Sequence, residues 1–436
     1  MNKLNFNEFE EVSEKAWKQK IQADLKGKDY NSTMITPTDE GIDIKPFYHK
    51  DSYKAFSIPS PQDWFITKRI TTPDYKNWEK DSNEGIERFW IDIEDLNEFN
   101  FLDENHHETI IQFKDGDLDK VNTSKNYIYA FDPLCNFAKS GNWLTSQAAD
   151  LDKHQSFAEK TSTIAVDIRL YQEAGGNITQ QLAYALSHLA TYFKNLNSTQ
   201  KDKLIILVIN AVGTNYFFEI AKLKALKLLI NSLCKEEKID YKIKILSTPG
   251  IVDFSVYDYN VNMLRTTSIS MSAILGGSDF ICNKNYDDVF KNESDFSNRI
   301  SKNQLLILKH ESYFNKVQNP TEGSYYINQL IQSLAEKALE LFKDIEKSGG
   351  FIQQLFDGKI QNKLEEQFKK TQEKLNTAEK IMVGVNKYIN EDENMSAAIE
   401  KPITKGVEKR KTLIKPIVSR RYAEVIEKDR LNNENH

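Results

Sequence analysis

Cysteine is scarce in this 436-residue chain: Cys135, Cys234 and Cys282 stand alone, with no C-x-x-C pairing. That argues against a disulfide framework or a thiolate zinc site and fits a reducing, cytoplasmic compartment. Long apolar runs are missing too. The longest, Leu204 to Ile209, is far too short to cross a bilayer, so no membrane partner is expected. The N-terminus, MNKLNFNEFEEVSEKAW, is acidic and polar where a secretory signal would be basic and then apolar. There is no excess of positive charge; the formal net charge is −6, which gives no reason to expect nucleic acid.

Familiar catalytic signatures are absent in turn. No G-x-x-x-x-G-K-[ST] offers a phosphate cradle, no G-x-G-x-x-G follows a strand, and neither H-E-x-x-H nor G-x-S-x-G occurs. The Gly-Gly pairs at 175–176, 276–277 and 349–350 read as turns or helix caps. His106-His107 is the only histidine pair. Adjacent side chains point apart on either kind of element, which favours a solvated loop over a metal site, and no metal is expected.

What is present is an alternation of strand-like and helix-like segments between about 121 and 350, the signal of a parallel α/β fold. NYIYAFD, TIAVDIRL, KLIILVIN and YKIKILST read as strands, with DFICN a weaker one. Asn177 and Gln180 form a candidate capping box for a helix burying Ile178, Leu182, Ala185, Leu186 and Leu189. Later helices present Phe218, Ala221, Ala225, Leu228 and Leu229, and then Phe296, Ile300, Leu305 and Leu308. Gly323-Ser324-Tyr325-Tyr326 reads as a strand start with a buried aromatic pair, and IMVGVNKY as one more strand. The predicted architecture is a (β/α)8 TIM-type barrel over 121–390. An aromatic-rich N-terminal arm and entry segment (1–120) precedes it, and a charged helical tail (391–436) follows, with ten Lys/Arg against five Asp/Glu over 401–436.

The segment DIRLYQEAGGNITQQLAYAL places polar residues where a strand gives way to a helix, the position of catalytic groups in α/β barrels. Glu173 stands there as a general base or as the partner of Arg169 in an ion pair. No histidine, cysteine, lysine or second carboxylate lies beside it in sequence.

Several blocks together are more specific. VNMLRTTSISMSAILGGSDFICNKNYDD, DFSNRISKNQLLILKHES and NPTEGSYYINQLIQSLAEKALELFKDIEKSGGF resemble the methylmalonyl-CoA mutase family in family order. So do WKQKIQADLKGKDY, GIDIKPFY, YQEAGGNITQQLAYAL, FFEIAKLKALKLLI and IMVGVNKY. The departures bear on function. Catalytic chains of the family carry Y-H-M-Q-E-A-G; here Leu170 stands at the histidine and Tyr171 at the methionine, while Gln172 and Glu173 match. Leucine neither donates a proton nor hydrogen-bonds an oxyanion. In place of Q-T-S-G-W-S-L-T, STPGIVDFSVYDYN sets Thr248 at the glutamine and Val252 at the tryptophan. DWFITKRI lacks the tyrosine and glycine of the family's W-T-I-R-Q-Y-A-G tract. Arg265, in the R-T-T block, either binds a CoA phosphate or substrate carboxylate or ties loops together.

The resemblance therefore implies a non-catalytic chain whose vestigial pocket positions are Leu170, Tyr171, Gln172, Glu173, Thr248 and Arg265. D-x-H-x-x-G, the family's cobalt-binding motif, is missing, so adenosylcobalamin is expected on a partner and not on this chain. That partner is expected to be a large catalytic subunit in a 1:1 heterodimer interconverting (R)-methylmalonyl-CoA and succinyl-CoA. In the resembling family an N-terminal arm wraps the neighbouring subunit, which makes Trp17, Phe47 and Tyr48 candidate contacts. The basic tail reads either as docked on a partner or, more commonly for such a run, as a solvated helix face. Two other readings stay open: an acyl-CoA mutase barrel served by a separate cobalamin chain, and a cobalamin-independent isomerase built on Glu173.

Overall fold

β-Branched and aliphatic runs fold into eight short strands: β1 (Phe65–Ile70), β2 (Arg88–Ile93), β3 (Ile110–Phe113), β4 (Ile128–Ala130), β5 (Thr163–Asp167), β6 (Leu204–Val212), β7 (Tyr241–Pro249) and β8 (Phe280–Ile281). In the computed structural model, which describes residues 10–53, 58–71, 78–93, 109–117, 119, 121, 127–196, 203–404 and 410–434, these form one all-parallel sheet. The order is β4-β3-β2-β1-β8-β7-β6-β5. Sequential order with β8 beside β1 is that of a (β/α)8 barrel, here closed except at the seam between β4 and β5. At that seam a side chain replaces the ladder: the Asp167 amide donates to Asp132 Oδ2 at 2.7 Å.

The alternation along each strand sorts side chains between axis and outer layer. Phe65, Trp90, Ile110, Ile128, Ala165, Leu207, Leu246 and Phe280, one from each strand, meet in a single apolar cluster. The axis is a packed core and not a passage, as in other (β/α)8 barrels. Outward-facing Ile164, Val166, Ile206 and Val208 pack under the helices Ile178–Lys194, Tyr216–Glu236 and Tyr325–Lys347.

The capping box forms as expected, with Gln180 N–H donating to Asn177 Oδ1 at 2.9 Å and Asn177 N–H to Gln180 Oε1 at 3.0 Å. Other expectations are corrected. β1 to β3 lie before residue 121, so the sheet begins inside the stretch read as an entry segment. TIAVDIRL ends as a strand at Asp167, and Arg169–Glu173 is a helical turn. The GSYY segment starts a helix, because the Ser324 side chain accepts the Ile327 amide; Tyr325 is 40% exposed. IMVGVNKY makes no strand beyond one Val383–Lys387 bridge, since Gly384 at φ +78° turns the chain back. Phe296 is solvent-exposed on its helix, and Leu228 is only partly buried.

The described parts of the arm and the tail both pack on the barrel. In the arm, a two-residue antiparallel ladder, Thr36–Pro37 with Asp43–Ile44, presents Glu40 to the start of the Ile178–Lys194 helix. Glu40 accepts from Ile178 N–H (2.6 Å), Thr179 N–H (2.9 Å) and Thr179 Oγ1 (2.8 Å), where a helix leaves amides unpaired and favours negative charge. The tail crosses the C-terminal ends of the strands as a strap. Ile417 N–H donates to Ala138 O, Arg420 N–H to Glu173 O, and Tyr422 N–H to Val252 O. Its charges are not a solvated face throughout: Arg421 and Glu427 are buried and paired at 2.6 Å, and Glu427 also accepts the Val256 amide.

Candidate active-site region at the barrel mouth

The chain leaves β5 through Asp167 and makes one helical turn, Arg169–Glu173. Gly175, at φ +88°, then reverses it into the capped helix; a side chain here would strike Phe368. This turn aims each residue of LYQE differently. Leu170 and Tyr171 face the apolar layer outside the barrel, away from the mouth. Tyr171 Oη meets His188 Nε2 at 2.6 Å, and His188 Nδ1 meets Asp132 Oδ2 at 3.1 Å. Burial pushes the Tyr171 phenol well above its usual range, with the neighbouring Cys135 and Asp132 adding to it. Gln172 lies flat against Gly250, where an added Cβ would fall 2.0 Å from Gln172 Oε1.

Glu173 does reach the mouth, but it is fully engaged. Its carboxylate pairs with Lys284 at 3.2 Å and accepts from Ser419 Oγ at 2.9 Å. Burial raises its pKa, yet the charges of Lys284 and Arg169 and the Ser419 hydrogen bond outweigh that and hold it below the ordinary carboxylate value. Arg169 is not Glu173's ion-pair partner. It clasps Asp167 with two bonds, Nε to Oδ1 at 2.8 Å and Nη2 to Oδ2 at 2.5 Å. Its guanidinium and that of Arg69 each lie 4.5 Å from the Trp90 ring, and Arg69 pairs with Asp92. Above the apolar axis, then, sits a layer of matched charge around an indole.

Thr248 is buried at the end of β7, and Val252 packs under the strap with Phe368, Met382 and Tyr422. Arg265 ties loops: its Nη1 donates to Ser255 Oγ (2.8 Å) and Asn262 Oδ1 (2.7 Å), and its Nη2 to Val383 O (2.7 Å). These positions do not converge on one space. A cleft of about 930 Å³ opens instead on the other half of the mouth, at the ends of β1, β2 and β8, with Thr248 at its edge. Its charged walls are cross-linked by Lys68–Asp81, Lys284–Glu173 and Lys302–Glu84.

Asp132, His188, Trp90 and Lys284 were not singled out in the sequence. Asp132 alone left a signal there, as an Asp-Pro opening a helix; its Oδ1 caps the Cys135 amide. Trp17 stacks on Phe47 at 4.6 Å, and Tyr48 meets Tyr326 at 5.0 Å. His106 and His107 lie outside the described residues. Among the described residues, no cluster of His, Cys, Asp and Glu is arranged to hold a metal, and no helix is long and apolar enough to cross a membrane.

A cobalamin held through a protein histidine needs that donor beside an open face of the barrel. Among the described histidines, His154 and His188 are sealed in the outer layer, His49 caps a turn of the arm, and His310 is exposed beyond the last barrel strand. None stands at the mouth, and the residues present there do not fit that group.

The model of the methylmalonyl-CoA mutase family matches residues 127–430. The chain belongs to the methylmalonyl-CoA mutase family. It is 28% identical over 441 residues to the methylmalonyl-CoA mutase small subunit of Porphyromonas gingivalis, covering 88% of this chain and 71% of that one. It is 34% identical over 244 residues to methylmalonyl-CoA mutase of Rhizobium meliloti, and 28% identical over 237 residues to the large subunit from Porphyromonas gingivalis. Those matches cover 54% and 52% of this chain but only 34% and 33% of the relatives, so the chain spans about a third of their length.

Proposed function

We propose that this chain is the small, non-catalytic subunit of a heterodimeric, adenosylcobalamin-dependent methylmalonyl-CoA mutase, bracing a large subunit that interconverts (R)-methylmalonyl-CoA and succinyl-CoA. The observation that carries this reading is the turn after β5, which offers no free catalytic group to the mouth. Leu170 points into the apolar layer, and Glu173 is neutralised by Lys284. A general base at neutral pH wants a raised pKa and a free face; Glu173 has neither, so an isomerase built on it finds no support. The resemblance to a small subunit over 88% of the chain points the same way. The cofactor belongs, on this reading, to the large subunit, which also supplies the substrate-enclosing residues. The same lack of a free catalytic group counts against a barrel borrowing cobalamin from a separate chain.

Co-expression with a large subunit, followed by size-exclusion chromatography with light scattering, tests the assignment. The expected result is a 1:1 complex that is active, beside an isolated small chain that gives no absorbance shift with adenosylcobalamin and no turnover. Stoichiometric cofactor binding by the isolated chain, or a chain that stays monomeric beside its partner, overturns it.

A further inference from the structure

The helix Tyr216–Glu236 withdraws three lysines from solvent. Two have conventional partners. Lys222 pairs with Glu219 at 2.6 Å, and Lys227 donates to Gly277 O at 2.6 Å, closing the end of a neighbouring helix. Lys224 differs. It is 4% exposed, its Nζ donates to Asn319 Oδ1 at 2.7 Å, and no carboxylate stands within ion-pair distance of it among the described residues. The nearest acid, Glu322, is held by the Asn319 amide instead. Beside Lys224 is a cavity of about 30 Å³ walled by Tyr53, Ile58, Ile327 and Ile331. That is room for a triatomic molecule or roughly two waters. Thr321 lines the same cavity, and its Oγ1 is buried without a hydrogen-bond partner.

We propose that Lys224 is a carbamylation site, its Nζ adding carbon dioxide that is held as a carbamate in this cavity. The proposal stands apart from the subunit reading. The neutral amine's lone pair forms the N–C bond, one C–O π pair moves onto oxygen, and an N–H proton leaves to water; no oxidant or reductant is required. Two features favour the step. First, the amine must be uncharged to react. Burial, and then the charge of Lys227, lower the Lys224 pKa to about 8 against the opposing pull of Glu322. About a tenth of the amine is then neutral at pH 7, roughly 300-fold more than for an ordinary lysine. Second, the product suits its surroundings better than the reactant. Lys224 and Lys227 sit three residues apart on one helix, where like charges repel and opposite charges attract. A carbamate reverses the sign at 224, where the charge of Lys227 outweighs that of Glu322 on the cavity wall, and offers an acceptor to the unpartnered Thr321 hydroxyl.

The full-length protein is equilibrated with isotope-labelled bicarbonate near pH 8, trapped with a trialkyloxonium reagent and mapped by peptide mass spectrometry. The expected result is label on Lys224 at least tenfold above that on surface lysines, lost in Lys224→Arg and reduced several-fold in Thr321→Val. Label on the N-terminal amine with none on Lys224 overturns the proposal. So does label spread evenly over all lysines. Both are read on the unmodified sequence, so neither depends on a variant folding.

Discussion

At the scale of single residues, the YQEA turn shows how little sequence identity guarantees about role. Gln172 and Glu173 keep the residue types of a catalytic segment, yet one is pressed against Gly250 and the other neutralised by Lys284. A histidine at 170, where the resemblance would put one, therefore lands in the wrong compartment. Leu170→His places an imidazole among aliphatic neighbours, at a cost of about 1–3 kcal/mol for an unpartnered polar group. The variant is expected to melt earlier and to form no succinyl-CoA when given cofactor and substrate without a partner; product formation would refute the account of the defect. Glu173 gives a second prediction. Its folded pKa lies below the ordinary value of 4.5, so the ionised form favours folding. That contribution is complete at neutral pH and disappears as pH falls through the lowered folded pKa. Lys284→Met removes the leading attraction and leaves the carboxylate largely desolvated. Urea midpoints at pH 7 should drop by the equivalent of about 1–2 kcal/mol, and the gap from the parent should close toward pH 3. An equal gap at both pH values contradicts the pairing.

Between elements, two joints are made by side chains instead of ladders or helix packing. The β4–β5 seam rests on Asp132, whose Oδ2 takes the Asp167 amide and faces His188 while Oδ1 takes Tyr192 Oη and the Cys135 amide. Asp132→Asn turns an amide NH2 or a weaker acceptor toward donors on both sides, and a loss of about 2–3 kcal/mol is expected in chemical denaturation. Hydrogen exchange should quicken first at Thr163–Asp167; uniform quickening across all strands would show that the seam is not special. The second joint is Glu40 on the start of the Ile178–Lys194 helix. Burial raises its pKa despite three hydrogen bonds, so its ionised form is held at some cost. Neither joint was legible in the sequence, because each partner lies tens of residues away and carries no periodic signal. What was legible is what periodicity and capping encode: β4 to β8, the capping box at Asn177, and the apolar faces of the barrel helices. GSYY and IMVGVNKY misread for the opposite reason. Their β-branched and aromatic content suggested strands, but a Ser324 cap and a positive-φ Gly384 decided the backbone.

For the whole molecule, the barrel was recognisable from the order of its blocks, while the docking of the arm and strap on it is revealed only in three dimensions. The arm also makes the final prediction sharper. Residues 36–44 are docked on the barrel through Glu40, whereas the helix Glu14–Asp24 ahead of them buries none of its residues. An isolated 11-residue helix is marginal in water. This one is held by Trp17 stacking on Phe47 and by surface ion pairs such as Lys45–Glu14, which contribute little in solvent. Trp17 remains 45% exposed, with Val12 open on the same segment. A large aromatic left half open on a weakly supported helix is the kind of residue that dominates an interface once covered. If the large subunit covers it, Trp17→Ala should weaken the 1:1 complex by about 1–3 kcal/mol, roughly 5- to 150-fold in Kd. The free chain's melting temperature should barely move, because an exposed side chain contributes little to the fold itself. Removing residues 1–28 should do the same and leave the Glu40 joint intact, which cutting at 48 would not. Titration calorimetry of the free large subunit against each variant measures the affinity directly. Unchanged affinity in both would remove the arm from the interface while leaving the subunit assignment to stand or fall on whether the complex forms at all.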